Sequence, residues 1–259
     1  MLTLSIASLY SIINQFFWPM LRVLALFSTA PIFNEKGIGK KTKVGLATII
    51  ALLIGQNLPN PHIEIFSISG LWVGAQQFII GASIGLVIQL IFVAVRNAGE
   101  IIGLQMGLSF ATFFDPAAGG NMPVIARILN LLVTLLFLTF NGHLWMLSIL
   151  ADSFILLPIS TNTLNPEGFI YFPHIAGLVF RFGLMLGLPI ITLLLCLNLT
   201  LGLLNRLTPQ LSIFVVGFPL TLSVGMAAMS MIMYTLAPFF ENMMKEIFEH
   251  VSQMIILLS

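Results

Sequence analysis

The stretch that decides the fold is Glu100-Ile-Ile-Gly-Leu-Gln-Met-Gly-Leu-Ser-Phe-Ala-Thr-Phe-Phe-Asp-Pro-Ala-Ala-Gly-Gly-Asn-Met-Pro-Val-Ile-Ala-Arg127. Gly99, Gly103 and Gly107 punctuate its first half. Asp115-Pro116, Gly119-Gly120-Asn121 and Pro123 punctuate its second. Glycine and proline at this density end helices and admit positive φ. Yet the stretch keeps Met106, Leu108, Phe110, Phe113, Phe114 and Met122, which an exposed loop would not. Such a non-helical segment between membrane spans is tolerated where protein buries it or where it lines a cavity. The reading is a deformable hydrophobic closure made by Met106, Gly107, Leu108, Ser109, Phe110, Phe113, Phe114, Asp115, Pro116, Gly119, Gly120 and Met122.

The rest of the chain explains why this segment has spans on both sides. Of 259 residues, 58% are hydrophobic and 7% charged, with a mean hydropathy of +1.07. A soluble domain carries about 25% charged residues. Polar groups cannot cover a globular surface here, so an all-α integral membrane protein is expected. The net charge of +1 argues against nucleic acid as a partner. The single cysteine, Cys196, excludes an internal disulfide. Arg22 is the first charge, so the N-terminal apolar segment reads as a retained span rather than a cleaved signal.

Charge-poor runs place about six long, partly kinked apolar helices near residues 4–33, 44–58, 68–95, 128–151, 175–205 and 211–240. Most reach the ~20 residues that cross a bilayer, and the second is short. Lys36, Lys40, Lys41 and Lys43 put the first connecting loop on the cytoplasmic side. Alternation then puts residues 100–127 and Arg206 inside, and residues 152–167 and the acidic C-terminal segment outside.

Gly70, Gly74, Gly81 and Gly85 share one face of the third span, and small residues admit a close neighbour. That neighbour is either another span of the same chain or another subunit. Asn130, Thr134, Asn141, Ser148 and Asp152 form a stripe on the fourth span, which faces a partner helix or water rather than lipid. Arg22 is an intramembrane charge, which either pairs with a carbonyl, snorkels or has a function. The fifth and sixth spans make a hairpin whose turn holds Arg206, Pro209 and Gln210, and Pro219 and Gly225 kink the sixth. Beyond Pro238, Met244, Ile247, Phe248, Val251, Met254, Ile255 and Leu258 line one face of an amphipathic tail. The tail lies at the membrane interface or along other subunits.

Catalytic chemistry is poorly supplied. The four histidines have no paired ligand spacing, so no metal or cofactor is expected. The nearest approach to a dyad is Ser109 with His143. Ser109 lacks a following glycine and sits among phenylalanines, so it reads as a small residue in a packed turn. A stand-alone transporter of a small solute is the alternative, but midplane ionisable groups and an inverted repeat are not evident.

Several segments together resemble a known family. They are Gly99-Glu-Ile-Ile-Gly-Leu-Gln-Met-Gly-Leu-Ser-Phe-Ala, Phe114-Asp-Pro, Asn121-Met-Pro, Phe140-Asn-Gly-His143, Arg206-Leu-Thr-Pro-Gln210 and Gly217-Phe-Pro219. In order and spacing they are similar to the FliR family of flagellar export-gate proteins, with its counterparts in virulence type III secretion. Two positions depart from the family pattern. Leu211-Ser212-Ile213 stands where an asparagine is common, and Asn141 stands where aspartate is usual. The resemblance implies one copy in a cone-like ring with FliP and FliQ in the bacterial inner membrane, part of it on the periplasmic side. It implies a FliP-like part over residues 1–174 and a FliQ-like hairpin over 175–259. The central stretch would be the plug, beside a methionine ring of FliP. The 206–210 turn would face FlhB, and unfolded flagellar proteins would be the substrates. It implies no catalytic role.

Overall fold

A computed structural model describes residues 6–33, 38–61, 63–108, 123–208 and 213–259. Those residues form seven helices and no strand: α1 (Ile6–Thr29), α2 (Lys40–Gly55), α3 (Ile68–Gln105), α4 (Val124–Thr139), α5 (Gly142–Leu156), α6 (Glu167–Leu207) and α7 (Ile213–Leu258). The protein is an all-α membrane protein. Among the described residues, α3, α6 and most of α7 are long and apolar enough to cross a bilayer, and α4 with α5 adds a fourth crossing if counted as one broken span. The 16-residue α2 is too short for one.

The helices depart from the expected spans in four places. The third runs ten residues further than 95, to Gln105, through Gly99 and Gly103. The fourth breaks at Phe140-Asn141, where Asn141 takes a left-handed φ of 56°. Asparagine tolerates that conformation better than most residues. The break divides the polar stripe expected on one continuous helix: Asn130 and Thr134 fall on α4, Ser148 and Asp152 on α5. The fifth begins at Glu167, before residue 175. The sixth continues through Pro219 and Pro238 to Leu258, so the amphipathic tail is the end of α7.

The chain forms two compact units. The first comprises Met1–Leu90, Asn141–Ala176 and Glu246–Ser259; the second comprises Ile91–Phe140 and Gly177–Lys245. The core of the first unit follows helical spacing. Trp18, Arg22 and Leu26 on α1, Met146, Leu150 and Phe154 on α5, and Ile247, Val251, Met254 and Leu258 on α7 are all buried. The α7 tail is therefore covered by its own chain, where the sequence suggested the interface or other subunits. Leu258 packs against Gly168, and its carbonyl accepts the Asn165 backbone N–H at 3.1 Å. Tyr171 on α6 meets His250 on α7 through its hydroxyl, and that hydroxyl donates to Gln253 Oε1 at 2.6 Å.

The glycine face of α3 also has its occupant in the first unit. A methyl group on Gly81 would collide with the Arg22 carbonyl, and one on Gly85 with the Thr29 hydroxyl. Gly74 faces Leu21 and Trp18 at 3.6 Å, while Gly70 closes on the carbonyls of Glu64 and Ile65. Of the two neighbours left open by the sequence, the one from the same chain fills this face.

In the second unit Ile125, Leu129, Val133 and Phe137 recur every four residues as the buried stripe of α4. Phe92 meets Phe137 with ring centroids 5.5 Å apart. Gly183 and Gly187 of α6 approach Ala94 and Ala98 of α3, so small residues set this helix contact too.

Candidate functional site

The candidate site is the pair of stems from which residues 109–122 depart, and it lies wholly in the second unit. The first stem is the end of α3. A helix leaves its last four carbonyls without intrahelical donors, and here each has found one. The Met106 N–H reaches the Ile102 carbonyl at 3.0 Å, Gly107 N–H that of Leu104 at 3.0 Å, and Leu108 N–H that of Gly103 at 3.0 Å. With Gly107 at φ 80°, this is the double-bonded helix stop in which glycine supplies the left-handed residue.

The next two carbonyls are capped by other helices. Asn198 Nδ2 on α6 donates to the Gln105 carbonyl at 3.2 Å and to its Oε1 at 3.3 Å. Thr221 Oγ1 on α7 donates to the Met106 carbonyl at 3.3 Å. The Met106 side chain is fully buried and lies over Gly225, where any Cβ would strike its Cε. α7 therefore fixes Met106, three positions before residue 109, while α6 holds its neighbour Gln105.

The second stem is the start of α4, with Pro123 at its N-cap. The two stems meet. A methyl group on Gly99 would stand 2.6 Å from Ala126 Cα, and one on Gly103 would stand 3.3 Å from Pro123 Cβ. The order of these contacts makes the stems antiparallel. The end of α3 and the start of α4, which flank residues 109–122 in the sequence, are thus held together.

Of the residues singled out for the closure, Met106, Gly107 and Leu108 are on the first stem. Ser109, Phe110, Phe113, Phe114, Asp115, Pro116, Gly119, Gly120 and Met122 lie outside the described residues, as do Pro209 and Gln210 of the hairpin turn. Arg206 is exposed in the last turn of α6. On α4, Asn130 and Thr134 are half-buried, and the Thr134 hydroxyl donates to the Asn130 carbonyl at 2.8 Å. Asn141 and Ser148 are exposed. Asn198 and Thr221 were not singled out for this stem, although Asn198 shares a face with Gly202 and Asn205; their partners lie 93 and 115 residues away in the chain.

Arg22 belongs to the first unit and is fully buried. Its Nε donates to Gln77 Oε1 at 2.8 Å. Nη1 donates to the Ser153 carbonyl at 2.8 Å and to Ser153 Oγ at 3.0 Å, and Nη2 to the Leu157 carbonyl at 2.9 Å. The guanidinium lies 4.0 Å from the centre of the Phe154 ring. A cation on α1 thus caps the C-terminus of α5, where the helix dipole favours positive charge. Of the options left by the sequence, pairing with carbonyls is the one adopted. Among the described residues there is no group of three or more His, Cys, Asp or Glu side chains that could hold a metal ion.

Comparison with known proteins finds relatives along most of the chain. The model of the family described as bacterial export proteins, family 1, matches residues 13–247. The flagellar biosynthetic protein FliR of Pectobacterium carotovorum subsp. carotovorum is 53% identical over 259 residues, covering 100% of this chain and 99% of its own. That of Escherichia coli K12 is 55% identical over 243 residues, covering 94% and 93%. The FliR of Bacillus subtilis is 27% identical over 221 residues, covering 84% and 85%. A match over nearly the whole length, by family and by relatives alike, means that the chain belongs to the bacterial export proteins of family 1, alongside the flagellar biosynthetic proteins FliR.

Proposed function

We propose that this chain is a subunit of the bacterial flagellar protein export gate. One copy joins FliP and FliQ in a ring around a conduit for unfolded flagellar proteins in the inner membrane. Residues 106–122 close that conduit as a plug. The 1–174 part corresponds to FliP, and residues 175–259 correspond to a FliQ-like hairpin whose turn at Arg206, Pro209 and Gln210 faces FlhB.

The observation that carries the reading is the joined pair of stems. The helix ends that flank a segment rich in Phe, Met and Gly in the sequence meet at Gly99–Ala126 and Gly103–Pro123. Displacing the segment would open the conduit while the joined helix ends stay in place. Glycines lower the conformational barrier to that displacement. Methionine adapts to the shape of what passes, and apolar side chains exclude water and ions when they meet again. The chain supplies a steric and hydrophobic seal, and the driving energy comes from elsewhere.

Deleting residues 110–114 tests this. The expected complex still contains this chain with FliP and FliQ after purification, and cells carrying it leak ions and lose membrane potential. A complex that assembles and holds the potential like the intact one refutes the plug. A chain that purifies alone and stays monodisperse refutes the ring.

A further inference from the structure

Three rings meet in the first unit where the start of α6 lies against the end of α7. Tyr171 and His174 come from α6, and His250 comes from α7. Ring centres are 5.5 Å apart for Tyr171 and His174, and 5.8 Å for Tyr171 and His250. The two histidines are 5.9 Å apart and stand edge to face at 72°. His174 is exposed and His250 half-buried, so water reaches both imidazoles. The proposed function uses neither.

The hydrogen bonds decide which nitrogen of His250 is available. The Tyr171 hydroxyl has one proton, and that proton goes to Gln253 Oε1 at 2.6 Å. Toward His250 the same oxygen therefore accepts, at 2.5 Å from Nδ1. Nδ1 carries the ring proton, and the neutral imidazole keeps its lone pair on Nε2. A partner on one ring nitrogen is what orients the other toward a metal ion. His174 makes no hydrogen bond or ion pair among the described residues, so its own lone pair is uncommitted.

Two imidazoles on one ion have ring centres roughly 5–6 Å apart, because each nitrogen sits about 2.0–2.1 Å from the metal. The separation of 5.9 Å falls in that range. No third His, Cys, Asp or Glu joins the pair among the described residues, so water completes the shell. Calcium and magnesium take oxygen ligands, whereas imidazole suits zinc, copper and nickel.

We infer that His174 and Nε2 of His250 form a two-histidine site for a divalent ion of the zinc, copper and nickel class. Tyr171 and Gln253 are its positioning residues, since they act on the ion through His250. An ion held there ties the start of α6 to the tail of α7. It stabilises the first unit by mass action, because the two histidines are brought together only in the folded chain. They lie far apart in the sequence, which is why no paired ligand spacing is visible there. The inference needs neither plug nor ring, so it stands or falls apart from the proposed function.

The test uses the full chain with whatever membrane proteins co-purify with it, prepared through a tag free of histidine and stripped with a chelator. Substoichiometric Cu²⁺ is added, and the imidazoles on the copper are counted by electron spin echo envelope modulation. Two are expected in the intact chain, and at most one in His174→Ala or His250→Ala. Tyr171→Phe keeps two but weakens binding by roughly tenfold or more, as loss of an outer partner does. Zn²⁺ displaces the copper and raises the thermal midpoint of the intact chain. It leaves the midpoint of His174→Ala unchanged, and because His174 is exposed that variant matches the parent in chelator. A single imidazole on the intact chain, a count indifferent to His174→Ala (an adventitious ion only), parental affinity in Tyr171→Phe, or a midpoint indifferent to Zn²⁺ each overturn the inference.

Discussion

Gly99 of α3 and Ala126 of α4 lie so close that a methyl group on the glycine would stand 2.6 Å from the alanine Cα and 3.0 Å from its nitrogen. Both obstacles are backbone, which cannot rotate away. Gly99→Ala should therefore destabilise the protein by about 1–3 kcal/mol, as overpacking does. Gly103→Ala, whose methyl would meet Pro123 Cβ at 3.3 Å, should be milder. Thermal unfolding of the detergent-solubilised protein ranks the two, and equal midpoints would contradict the stem contact.

Gly107 can be tested by its backbone alone. At φ 80° an L-residue pays about 1–2 kcal/mol. Gly107→Ala should lower stability by that amount, and Gly107→Asn by less. If both behave like the parent in the same unfolding measurement, residue 107 is not left-handed.

The side-chain caps on α3 make a paired prediction. Asn198→Leu leaves the Gln105 carbonyl without its donor, and Thr221→Val does the same to Met106. An orphaned buried carbonyl costs roughly 1–3 kcal/mol. Each substitution should speed proteolysis within residues 105–123 of the membrane-embedded protein. Unchanged cleavage in both would show that the stem is held without them.

Arg22 should not tolerate lysine. An ammonium is a compact charge, whereas the guanidinium fork reaches Gln77, Ser153 and Leu157 together. Arg22→Lys and Arg22→Met should both deplete inserted protein in pulse-chase labelling, because orphaned acceptors cost roughly 1–3 kcal/mol each. Full stability of Arg22→Lys would mean that charge alone matters at this position.

Much of this is legible in the amino-acid sequence. Composition gave a helical membrane protein, and the order of short motifs gave the family. The glycine face of α3 and the apolar face of the α7 tail were visible as periodicities. What periodicity cannot name is the occupant of a face. Gly74, Gly81 and Gly85 meet α1, and the α7 tail meets its own chain. Gly99 and Gly103 read as helix breakers because glycine is a poor helix former. In the fold they are contact points instead, and the helix runs through them to Gln105. The left-handed Asn141 splits a span that hydropathy sees as continuous. The partners of Arg22 lie 55 to 135 residues away, beyond the reach of any local pattern.

The first unit is assembled from three separated pieces, and Glu246–Ser259 is the last of them to leave the ribosome. The interior shared with residues 1–90 and 141–176 is not filled until that piece brings in Ile247, Val251, Met254 and Leu258. A message cut short before codon 246 therefore yields a product that has inserted most of its helices and can never close. Such a product displays greasy, half-buried surface, which membrane proteases recognise. Chain order thus governs closure, since the unit begun first is finished by a piece made after the whole of the second unit.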